Sequence, residues 1–124
     1  MAGISASARG LLALHQLVDE PGDLDRIRLH TSGPPAWYIR TMKKRAITLG
    51  RHVWVRDARL LEDVPLLAHE LVHVRQFRSM GTAQFCWRYS WDIARAGFRY
   101  SRKLPLEAPA YERQRLAEER LGLR

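Results

Sequence analysis

The stretch L-L-A-H-E-L-V-H-V-R-Q-F, residues 66–77, puts two histidines four positions apart and a glutamate directly after the first. Leu67, Leu71 and Val74 form one apolar stripe of the helix this stretch would make, and Leu66 and Phe77 flank the histidines on the other side. A helix apolar on nearly every side is sandwiched inside a fold, so it becomes the element around which the rest is arranged. Its polar side chains then need partners, because burying an unsatisfied polar group costs roughly 2–7 kcal/mol. Backbone carbonyls or Glu70 could satisfy the histidines, but a metal ion explains the set better. Residues four apart on a helix lie about 40° from one another and one turn up, so His69 and His73 can reach one ion. Glu70, about 100° around from His69, stays off the metal yet can reach a water beside it. Three protein ligands on a zinc ion leave a fourth position for an ionisable water.

The flanks set the boundaries. Asp63 is an N-cap, Pro65 is tolerated in a first turn and Gly81 supplies the stop, which predicts a helix over 64–80. Before it, residues 45–55 read R-A-I-T-L-G-R-H-V-W-V, two β-rich runs either side of Gly50, which predicts a hairpin. Two strands alone are marginal, so the hairpin must lie on the helix. His52, in the turn, reads as a solvated residue.

Earlier in the chain, E-P-G-D at 20–23 and S-G-P-P at 32–35 read as loops. A short helix is expected over 8–18 and a brief strand through Leu24, Ile27 and Leu29, while Trp37, Tyr38 and Ile39 are expected to pack. After Gly81, Thr82 can cap a second helix over 83–101, and Pro105 separates it from a third over 106–121. No strand follows the hairpin to build a parallel sheet. The expected fold is therefore α+β: a small antiparallel sheet packed on the central H-E-x-x-H helix, with two further C-terminal helices.

A chain of 124 residues is the size of one domain. Residues 1–44 would supply an N-terminal helix and loops able to cover a site, and 45–124 the metal-binding core. The single cysteine, Cys86, forms no internal disulfide, suits a reducing compartment and reads as a small core residue. No apolar run approaches the roughly 18 residues of a membrane span, and residues 1–17 show no signal-like stretch, so a cytoplasmic location is expected. A formal net charge of +8 favours contact with polyanions without naming one.

The motif H-E-L-V-H-V-R-Q, preceded by L-L-A and by a hairpin of the I-T-L-G-x-x-V-W-V kind, resembles the zincin metallopeptidases. The small gluzincin-like members, called minigluzincins, are the closest resemblance, and it covers residues 45–120. It implies one zinc ion bound by His69 and His73, Glu70 as general base, a glutamate from a later helix as third ligand, and a peptide or protein substrate. Four glutamates of the last helix are available, Glu107, Glu112, Glu118 and Glu119. Glu107 falls beside the stripe of Leu106, Ala110, Ala117 and Leu121, which is fit to face a core. Glu112 and Glu119 sit among arginines, and Glu118 is three turns further along. L-P-L-E at 104–107 also resembles the N-P-x-E context of the family's distal glutamate, with Leu104 replacing asparagine and Pro109 departing from the pattern that follows. An oxyanion donor is still required, and Tyr111 or Tyr100 can supply it.

Two other functions compete. The second predicted helix alternates aromatics with Arg88, Arg95, Arg99, Arg102 and Lys103, a pattern suited to an anionic membrane or a nucleic-acid backbone. The plainer expectation is that its aromatics roof the core while the arginines face solvent. The other is a zinc-stabilised interaction module without turnover, or a latent enzyme, with the acidic run Asp19, Glu20, Asp23 and Asp25 drawn over the site.

Overall fold

The computed structural model describes residues 3–123; residues 1, 2 and 124, which the one-domain expectation also spans, lie outside the described residues. The elements run α1 (Ala6–Leu14), α2 (Gly22–Arg26), β1 (Arg28–His30), α3 (Pro34–Thr41), β2 (Ala46–Leu49), β3 (His52–Val55), a 3₁₀ turn (Ala58–Glu62), α4 (Val64–Met80), α5 (Thr82–Arg95) and α6 (Ala108–Arg120). The fold is α+β, as expected.

The H-E-x-x-H helix is α4, with the predicted limits. The Asp63 carboxylate accepts from the Leu66 amide at 3.1 Å, and Gly81, at φ +86°, ends the helix. Every residue from Val64 to Val74 is buried, as the all-round apolar pattern requires. The helix packs most extensively against α6 and also against β2, α5 and α1. One core cluster gathers Leu12, Leu17, Ile27, Val53, Val55 and Leu67 around it; a second joins Phe77, Phe85 and Leu106.

The hairpin forms where predicted, with Leu49 opposite His52 and Gly50 at φ +65° in the turn. The sheet is not purely antiparallel, however. Its order is β1-β3-β2, with β1 parallel to β3 in the register Arg28–His52, Leu29–Val53 and His30–Trp54. The parallel partner precedes the hairpin, and residues 31–51 make the long crossover that such pairing needs. Of the expected loop S-G-P-P only Ser32 and Gly33 are non-helical; both prolines occupy the first turn of α3, where no amide donor is missed. Ala36 and Ile39 of α3 are buried, but Trp37 and Tyr38 are exposed.

Further expectations shift: the E-P-G-D loop runs into α2 at Gly22 and Leu24 lies in that helix, so of the strand expected through Leu24, Ile27 and Leu29 only the end forms, as β1. Ser5 caps α1 early and Gln16, at φ +55°, turns the chain away, so the first helix is 6–14 and not 8–18. Gly81, not Thr82, precedes α5, and consecutive left-handed residues Gly97 and Phe98 end it at Arg95, short of the predicted 101. Of the residues of α5 only Phe85 is buried, and Cys86 is exposed instead of packed in the core. Pro109 sits in the first turn of α6, so that helix begins at Ala108 and leaves Glu107 at its N-cap.

Candidate metal centre and cleft

Along α4 the spacing of four brings the His69 and His73 rings to 5.1 Å between centroids, at 67° to one another. Both present Nε2 to the same oxygen: Glu107 Oε1 lies 2.9 Å from His73 Nε2 and 3.4 Å from His69 Nε2. All three side chains are buried, and their ligand atoms lie within 4.8 Å of one another. Tetrahedral ligands about 2.0–2.1 Å from a zinc ion stand roughly 3.3 Å apart, so the donor set is spaced to hold one. Glu112 and Glu119 instead pair with Arg115 on the outer face of α6.

A second layer orients these donors. Gln76 is fixed by donating to the Leu106 carbonyl at 3.0 Å, so its Oε1, 2.9 Å from His73 Nδ1, accepts that proton. A neutral His73 then turns the lone pair of Nε2 toward Glu107, and a proton or a cation must lie between two such acceptors. Burial works against protonating His73, but contact with Glu107 and the nearby charge of Glu70 hold its pKa above the usual imidazole value. Burial raises the pKa of Glu107, yet His69, His73 and Tyr89 together keep it well below the usual carboxylate range. Tyr89 Oη donates to Glu107 Oε2 at 2.6 Å, which leaves Oε1 as the oxygen facing the histidines. His69 Nδ1 is buried with no protein partner among the described residues.

Glu70, one residue beyond His69, is buried and accepts from Thr48 Oγ1 of β2 at 2.6 Å. It therefore points to the sheet side of the site, and β2, an edge strand, lines the same cleft. The cleft has a volume of about 520 Å³ and is walled by α4, β2, α5 and the start of α6. Tyr111, the expected oxyanion donor, sets its ring edge-on to His69 at 4.5 Å between centroids. Its hydroxyl lies 2.5 Å from that of Tyr100, so the two candidates for that role occupy one place. Burial and the contact with Tyr111 push the Tyr100 hydroxyl up, so it keeps its proton and can donate.

Sequence reasoning named neither Tyr89, Thr48 nor Gln76. Each left a faint trace: Tyr89 is four residues from the buried Phe85, Thr48 is a polar residue on the inward face of β2, and Gln76 is three residues after His73. The acidic run does not cover the site. Asp19 pairs with Arg113, and Glu20 and Asp23 pair with Arg78, the Asp23 bond being 2.7 Å; none of the four acidic residues lines the cleft. His52 is not solvated alone, since its Nδ1 lies 2.9 Å from His30 Nε2.

A family model described as the eCIS core domain, of the extracellular contractile injection system, matches residues 19–81, half of the chain. The chain belongs to the eCIS core domain family. The matched span of this eCIS core domain runs through the sheet to the end of α4 and so includes Thr48, His69, Glu70 and His73; Tyr89, Glu107 and Tyr111 lie beyond it. No curated protein and no solved structure gives a significant match.

Proposed function

We propose that this eCIS core domain is a zinc-dependent peptidase of the zincin type. The convergence of His69 and His73 on Glu107 Oε1, with Glu70 buried on the same turn of α4, carries the reading. His69, His73 and Glu107 would hold the ion, which when bound lowers the pKa of a water from 15.7 to around 7 and polarises a carbonyl. Thr48 occupies one oxygen of Glu70 and leaves the other to take a proton from the attacking water and return it to the leaving amine. Tyr111 and Tyr100 donate to the carbonyl oxygen as charge develops on it. The free edge of β2 pairs with the substrate in extended form, which holds one amide beside Glu70.

The test separates binding from turnover. Purified without added metal, wild type carries equimolar zinc and cleaves denatured protein; Glu70→Gln keeps its zinc and loses cleavage by at least about 100-fold. His73→Ala loses the zinc. Equal zinc in His73→Ala and wild type overturns the site, and zinc without cleavage in any preparation leaves only a metal-stabilised module.

A second reading attaches to α5. Trp87 is 73% exposed and Trp91 54%, one turn apart, on the solvent side with Arg88 and Arg95. They do not roof the core, and we propose that this face rests on an anionic membrane.

A further inference from the structure

Among the described residues no carboxylate lines the cleft apart from Glu70 and Glu107, both buried in the candidate metal centre; its rim carries Lys44, Arg45 and Arg102 instead. Arg45 is paired with Asp63, but no carboxylate pairs with Lys44 or Arg102 among the described residues. What holds these two is aromatic. Lys44 Nζ lies 5.1 Å from the centre of the Tyr100 ring, and the Arg102 guanidinium lies 4.8 Å from the centre of the Tyr111 ring. Since the two tyrosines share a hydroxyl contact, both cations are docked on the pair that borders His69. A divalent ion would balance the charges of Glu70 and Glu107, so the field left in the cleft is that of the two rim cations.

We infer that the cleft selects peptides bearing an aspartate or glutamate close to the bond that is cut. This rests on the peptidase reading and adds its substrate class. Laid end to end, the ring distances put the Arg102 guanidinium within roughly 10 Å of His69, about three residues of extended peptide at 3.3 Å each. The acidic side chain therefore falls within three residues of the scissile amide. Exposed charges act over a Debye length of about 8 Å at physiological ionic strength, so the preference is sharper at low salt.

Two measurements test it on the full chain. In the first, wild type digests a mixture of random decapeptides and the cut sites are read by mass spectrometry. Aspartate and glutamate are expected enriched about tenfold over lysine and arginine within three residues of the cut, and Arg102→Glu with Lys44→Glu is expected to reverse this. In the second, zinc-loaded Glu70→Gln binds a labelled Asp-containing decapeptide more tightly than its Asn or Lys counterparts, read by fluorescence anisotropy. Arg102→Gln, checked for unchanged zinc content, removes that difference. Cleavage without charge preference, or a preference that survives both rim variants, overturns the inference and leaves the peptidase standing. Acid-selective binding with no cleavage of any peptide supports the charged cleft and overturns the peptidase. Equal binding of all three peptides overturns the inference whether or not cleavage occurs.

Discussion

At the scale of single residues, the site is a set of polar groups whose partners come from elsewhere in the chain. Glu107 is the clearest case, because its two oxygens are divided between the histidines and the Tyr89 hydroxyl. That division predicts the effect of Tyr89→Phe: Oε2 loses its donor, the carboxylate is free to turn, and zinc affinity falls about 10- to 100-fold, measured by competition with a chromophoric chelator. Unchanged affinity would mean that Tyr89 only fills space. His69, Glu70 and His73 were legible in the sequence because their spacing is local to one helix. Tyr89 and Thr48 were not, since a phenol and a hydroxyl carry no pattern of their own and acquire a role only where two elements meet.

At the scale of elements, the start of α6 delivers Glu107 to the two histidines, and its distance from α4 is set by small residues. Ala110 and Ala117 are fully buried at that contact, and Ala110 is one turn from Glu107. Ala110→Leu forces extra atoms into a closed space, which costs about 1–3 kcal/mol by urea denaturation and also weakens zinc binding, because Glu107 is carried outward. A loss of stability with unchanged zinc affinity would show the two elements are not coupled in this way. The limits of α4 follow from cap chemistry and the place of the hairpin from its turn glycine, although His52, expected in the turn, opens β3 opposite Leu49. The parallel pairing of β1 was missed because a three-residue strand has too few positions to show alternation, and α3 because Pro-Pro reads equally as a loop and as a first helical turn. The end of α5 depended on Gly97 and Phe98 turning left-handed, and the aromatic-basic pattern continues across them without a break.

At the scale of the molecule, the net +8 is spread unevenly: acidic residues 19–23 are spent on arginines behind the site, while α5 presents Trp87 and Trp91 beside unburied arginines. Wild type is therefore expected to bind vesicles containing phosphatidylserine in flotation assays, with binding weakened by salt. Trp87→Ser with Trp91→Ser abolishes it, and Glu70→Ala leaves it unchanged. Equal binding to neutral vesicles, or a preference for an oligonucleotide, would sink the membrane reading. The sequence by itself determined the central helix, its caps and the facing of His69, His73 and Glu70, because those follow from helical geometry and local capping within about twenty residues. Only the tertiary structure decided how Glu107 is shared between the histidines and Tyr89, which hydroxyl holds Glu70, and that the acidic run faces away. Such contacts join residues distant along the chain, and their geometry exists only once α4, α5, α6 and β2 have packed together.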